Sequence, residues 1–85
     1  MKLKIVGSHL CEDTQNALKV LKEKNVEIEF INISETLESL KVYLQLRDTE
    51  EMYKEVKKNG GIGIPCFIME DGEKTLSLDK IIEKL

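Results

Sequence analysis

The strongest constraint on the fold lies in the first third of the chain, where two strand patterns flank one helical pattern. Lys2 to Val6 (K-L-K-I-V) alternates and then runs apolar, as a buried strand does, and Gly7-Ser8 ends it. From Glu12 to Lys24 the residues Ala17, Leu18, Val20 and Leu21 form an apolar stripe at helical spacing. Lys19, Lys22 and Lys24 make its last half cationic, and Asn25 suits the stop. Glu27 to Ile33 (E-I-E-F-I-N-I) alternates again, with β-branched and aromatic residues. A strand, a helix and a strand within about thirty residues imply a parallel pair joined by a right-handed crossover.

The remainder predicts more short elements. Ser34 is placed to cap a helix whose face is Leu37, Leu40, Tyr43 and Leu44. Arg47-Asp48-Thr49 interrupts it, and Asp48 followed by Glu51 resembles a capping box for a short helix bearing Met52, Tyr53 and Val56. Gly60-Gly61-Ile62-Gly63 leads to Ile64-Pro65, and Cys66-Phe67-Ile68-Met69 is an apolar run of strand length. Asp71-Gly72 signals a two-residue hairpin into Lys74 to Leu76, after which Ser77 caps a last helix with Leu78, Ile81, Ile82 and Leu85. The order β-α-β-α-α-β-β-α describes an α/β domain whose four-stranded mixed sheet has helices on both faces.

With 85 residues, 41% apolar and 34% charged, the chain is expected to form one domain spanning residues 1–85. No apolar run approaches a membrane span, and M-K-L-K-I-V-G reads as a strand, so a cytoplasmic protein without a membrane partner is expected. A net charge of −3, with basic residues dispersed among acidic ones, argues against nucleic acid. Two cysteines without a C-x-x-C pair, and one histidine, are too few for a disulfide framework or a tetrahedral metal site.

Chemistry is expected at Cys11, between the first strand and the first helix, where unpaired N–H groups and the helix dipole favour the thiolate that attacks disulfides. The alternative is a small apolar residue filling the first turn. Glu12 and Asp13 bring two carboxylates into that turn and oppose the thiolate, unless they point into water. Thr14, one helical turn after Cys11, is placed either to donate its hydroxyl to the thiolate or to accept a backbone hydrogen bond. His9 is a loop histidine that, if protonated, would support the thiolate. Pro65, the only proline, stands at the mouth of a buried strand, and a cis Ile64-Pro65 bond would turn the Ile64 backbone outward toward an extended ligand. Cys66 is either a buried structural cysteine or a resolving thiol; strand alternation puts it with Ile68, on the side opposite Pro65 and Phe67.

These residues resemble the glutaredoxin family: a strand, G-S-H-L-C-E-D-T at the start of the first helix, G-I-P-C-F-I before a D-G turn, and a short terminal helix. The similarity is greatest to small bacterial glutaredoxin-related proteins. It implies a thioredoxin-like fold with strand order 2-1-3-4, a nucleophile at Cys11, a cis-proline at Pro65, and a peptide or glutathione lying antiparallel to Ile64. Cys11-Glu12-Asp13-Thr14 departs from the family's C-P-Y-C by losing the second cysteine. Ser8 stands where the family commonly has a lysine. The family's G-G-x-D-D corresponds approximately to Leu76-Ser77-Leu78-Asp79-Lys80, leaving Ser77, Leu78 and Asp79 as the candidate contacts for glutathione.

The expected activity is therefore thiol-disulfide exchange by a monomer through a Cys11 mixed disulfide, resolved by an external thiol or by Cys66. Its partner would be a disulfide-containing or glutathionylated protein or a small thiol. Glutathione would be a cosubstrate, and no cofactor would be bound. The alternative is a non-catalytic peptide-binding or redox-sensing module. The C-G-F-S tetrad of cluster-bridging members is absent.

Overall fold

The computed structural model describes residues 1–85. β1 (Lys2–Gly7), α1 (Glu12–Glu23) and β2 (Glu27–Asn32) come first, followed by α2 (Leu37–Thr49), a 3-10 turn (Glu51–Tyr53) and α3 (Lys54–Lys58). β3 (Cys66–Met69), β4 (Lys74–Thr75) and α4 (Leu78–Glu83) complete the chain. The four strands form one mixed sheet in the order β2-β1-β3-β4. β2 runs parallel to β1, from Lys2 opposite Glu27 to Gly7 opposite Asn32, while β3 runs antiparallel, from Leu3 opposite Met69 to Val6 opposite Cys66.

β1 is the centre of the molecule because it is hydrogen-bonded on both edges and packed on both faces. Leu3 and Ile5 point to one side, into a cluster with Ala17 and Leu21 of α1, Phe67 and Met69 of β3, and Ile81 of α4. Val6 points to the other, with Cys66, Tyr43 and Leu46 of α2, and Tyr53. Each such aliphatic or aromatic side chain contributes about 1.5–3 kcal/mol through burial, so the sheet is held from both sides.

The local signals behave unevenly. Asn25 ends α1 with φ of 59°, the left-handed conformation that asparagine tolerates, and Ser77 caps α4 by accepting from the Lys80 N–H at 3.3 Å. The cap of α2 is Thr36 rather than Ser34: its hydroxyl accepts from the Ser39 N–H at 3.1 Å, while the Ser34 hydroxyl is taken by Ser8. α2 continues through Arg47 and Asp48, and the break falls at Glu50, whose side chain forms no cap. The helix also turns differently from its apolar pattern. Leu37 and Leu44 are exposed while Tyr43 and Leu46 are buried. The turn between β3 and β4 spans Glu70 to Glu73, closed by the Met69 N–H to the Glu73 carbonyl, with Gly72 at φ of 88°. It is longer than the two-residue hairpin that Asp71-Gly72 suggests.

No helix is long and apolar enough to cross a membrane.

Gly7 lies in close contact with Thr14 of α1. A Cβ there would lie 2.6 Å from Thr14 Oγ1 and 2.7 Å from its Cγ2, and Thr14 is completely buried. Gly7→Ala is therefore expected to destabilise the protein by about 1–3 kcal/mol through overpacking. Urea unfolding measures this, and Thr14→Ala in the Gly7→Ala background should restore part of the loss.

Candidate functional site

Two loops meet at the end of the sheet where β1 stops. Ser8 to Cys11 leaves β1 for α1, and Gly60 to Pro65 enters β3; because Val6 pairs with Cys66, Pro65 arrives beside the end of β1.

The first loop is tied down by polar bonds. Ser8 is buried, and its N–H donates to Thr14 Oγ1 at 3.4 Å. Its carbonyl accepts from the Cys11 N–H at 3.0 Å, its hydroxyl accepts from the Leu10 N–H at 3.1 Å, and the same hydroxyl bonds to Ser34 Oγ at 2.5 Å. Asn32, at the end of β2, accepts from the His9 N–H at 3.4 Å and places its side-chain amide 2.9 Å from His9 Nδ1. Gln15 donates to the His9 carbonyl. His9 is thus a locally bonded loop residue.

Cys11 is the N-cap of α1, with φ −97° and ψ 122°. Its carbonyl accepts from the Gln15 N–H at 3.0 Å, and its partly exposed side chain makes no capping bond. Glu12 and Asp13 are exposed in the first turn and form no ion pair. Thr14 faces inward to Gly7 and Ser8 and accepts the Ser8 backbone bond.

The second loop is held by two tyrosines expected only as apolar helix positions and by Arg47, expected only as part of a helix break. Arg47 donates to the Gly61 carbonyl at 3.4 Å, Tyr43 to the Ile62 carbonyl at 2.5 Å, and Tyr53 to the Gly63 carbonyl at 2.7 Å. The two tyrosine rings meet edge to face, 6.2 Å between centroids and 81° between planes. Gly63 has φ of 76°, and a Cβ there would lie 2.6 Å from Tyr53 Cε1, so only glycine fits. The signal available beforehand was the accounting of backbone groups: an irregular G-G-I-G segment leaves carbonyls that need donors, and tyrosine hydroxyls are donors.

The Ile64-Pro65 peptide bond is cis. Ile64 is half-buried, and its N–H and C=O make no hydrogen bond within the chain. Between this loop and α1 runs a shallow groove of about 200 Å³, floored by Ala17, Pro65 and Phe67, edged by Ile64, Leu76 and Leu78, and bordered on the α1 side by Asp13 and Asn16. No lysine or arginine lines it. Of the other expected contacts, Ser77 uses its hydroxyl on Lys80 and its N–H on Thr75 Oγ1, while Asp79 is exposed outside the groove lining. A larger hollow of about 470 Å³ lies at the far end of the sheet, lined by Lys2, Lys4, Glu29 and Glu70 among others, with no thiol or hydroxyl in its lining.

Cys66 is completely buried among Val6, Tyr43, Leu46 and Tyr53, across the sheet from Phe67 and the groove. Burial pushes its thiol up, with the neighbouring Tyr53 hydroxyl pulling partway back. Burial, and then the Cys66 thiol, push the Tyr53 phenol up as well.

The elements define an α/β domain with a partly exposed thiol at the start of α1 and an apolar groove bordered by the first turns of the same helix. No family model matches the chain, and no solved structure matches it. An uncharacterized protein of Haemophilus influenzae is 31% identical over 71 residues, 84% of this chain and 83% of the relative. The chain belongs to the family of that protein.

Both raised groups on the Cys66 side hold their protons more tightly in the folded state than in the unfolded state. Stability is therefore expected to be full below about pH 8.5 and to fall as pH rises above it, with the phenol contributing from about pH 10. Urea midpoints from pH 7 to 10.5 test this; Cys66→Ala should flatten the portion that begins near 8.5. In the native protein, iodoacetamide is expected to label Cys11 and to reach Cys66 only after denaturant is added, as read by mass spectrometry.

Proposed function

We propose that the protein is a glutaredoxin-like thiol-disulfide oxidoreductase of the thioredoxin fold with one working thiol, Cys11. The observation that carries this reading is the position of Cys11: a partly exposed N-cap sulfur, free of intramolecular capping, at the start of a twelve-residue helix. The N–H groups of Glu12, Asp13 and Thr14 make no hydrogen bond within the chain, and they and the helix dipole favour negative charge there. The strand order β2-β1-β3-β4 and Pro65 at the mouth of β3 support the same reading.

In the first step the Cys11 thiolate attacks one sulfur of a substrate disulfide. A Cys11–substrate S–S bond forms, the original S–S bond breaks, and the departing sulfur leaves as a thiolate that takes a proton from water. In the second, an external thiol deprotonates and attacks the mixed disulfide, returning Cys11 as thiolate and leaving the substrate sulfur joined to that thiol. A second equivalent of the thiol releases the substrate and becomes the oxidised disulfide. Cys66 is not the resolving group in this scheme, because it is enclosed on the other face of the sheet. Ile64, with its N–H and C=O both free, offers an antiparallel backbone partner for an extended substrate.

Those free groups also fit a second reading, a binding module in which Cys11 takes no part. Cys11→Ser separates the two. Reduction of hydroxyethyl disulfide with a supply of external thiol is expected in the wild type and in Cys66→Ala, and is expected to be absent in Cys11→Ser. Equal turnover by Cys11→Ser would overturn the redox reading.

A further inference from the structure

We infer that the preferred substrate is a cysteine-containing polypeptide segment with an apolar and a basic residue beside the disulfide, and that an anionic low-molecular-weight disulfide such as one of glutathione is disfavoured. This rests on the thiol-exchange reading and specifies its substrate class.

Three independent features select that ligand. The groove between α1 and the Ile64-Pro65 turn is apolar on its floor and far edge, with Pro65 and Phe67 buried beneath it and Ile64, Leu76 and Leu78 half-buried around it. It suits an aliphatic side chain and gives a carboxylate no cationic partner. Its only charge is the Asp13 carboxylate, which no cation of this chain neutralises, and Glu12 adds a second exposed carboxylate next to Cys11. A cation on the ligand would meet complementary charge there, whereas a second anion would be repelled. The free N–H and C=O of Ile64 at the groove edge pair with the amides of a peptide and of glutathione alike, so they orient either ligand without choosing between them. Leu10 and Ile62, 75% and 59% exposed, add apolar surface on the two loops that carry Cys11 and Ile64, where the residues flanking a disulfide in a polypeptide have something to pack against.

Four mixed disulfides with 2-mercaptoethanol test the assignment on the full chain: 2-mercaptoethanol itself, glutathione, and two five-residue cysteinyl peptides that differ only in Lys or Glu beside a Leu-Cys pair. In each, Cys11 displaces 2-mercaptoethanol, which leaves as thiolate and takes a proton. The Lys peptide is expected to exceed both the Glu peptide and glutathione in kcat/KM by about fivefold at low salt, with the ratio shrinking as salt screens it. Asp13→Asn should reduce the Lys-to-Glu ratio and Asp13→Lys should invert it. Equal rates for the two peptides, a faster glutathione disulfide, or a ratio indifferent to Asp13 would overturn the substrate assignment while leaving exchange at Cys11 intact. Failure of every disulfide, the neutral 2-mercaptoethanol one included, would overturn the parent reading and this one together.

Discussion

The register between β1 and β3 is the constraint on which the site depends. With Val6 opposite Cys66 and Leu3 opposite Met69, the exit of β1 and the entry of β3 fall at the same end of the sheet. A shift of one residue would send every side chain of β3 to the other face. Phe67 would leave the groove floor and Cys66 would enter it. That register is held by side chains of both strands packed on both faces, Leu3, Ile5 and Phe67 on one and Val6 and Cys66 on the other, so the core and the geometry around Cys11 are fixed by the same contacts.

The two loops that meet there are secured in different ways. The loop before Cys11 draws on its own serine and on Asn32 and Ser34, which the parallel pairing of Gly7 with Asn32 carries alongside. The loop before Pro65 is glycine-rich and has few side chains to bind it, so three successive carbonyls rely on donors from α2 and the turn that follows. Long polar side chains whose stems pack in a core suit this role, since the ring or chain is buried while its tip remains available. α2 and the 3-10 turn thereby support the site from the face opposite α1.

The architecture was legible in the sequence where a short period met a clear boundary. The alternation of β1 and β2, the stripe of α1, the apolar run of β3 and the serine before α4 all describe local physics, and the element order follows from them. Predictions that depended on distant partners fared differently. Ser34 and Thr36 both had a capping hydroxyl, and the tertiary bond from Ser8 decided between them. Leu37 and Leu44 continued an apolar pattern, yet it is the face bearing Tyr43 and Leu46 that meets the sheet. At the site, the sequence placed Cys11 before a helix and put Cys66 on the side opposite Phe67. It could not reveal the carbonyl-binding role of Tyr43, Tyr53 and Arg47, because residues 10 to 20 positions apart in the chain meet only through the fold.

The tyrosine pair has one further consequence. The chain contains no tryptophan, and Tyr43 and Tyr53 are its only tyrosines. Both hydroxyls are anchored to the Ile62 and Gly63 carbonyls, so the tyrosine fluorescence of this protein comes entirely from the support of one loop. The molecule carries its own optical gauge of that segment, readable without any attached dye.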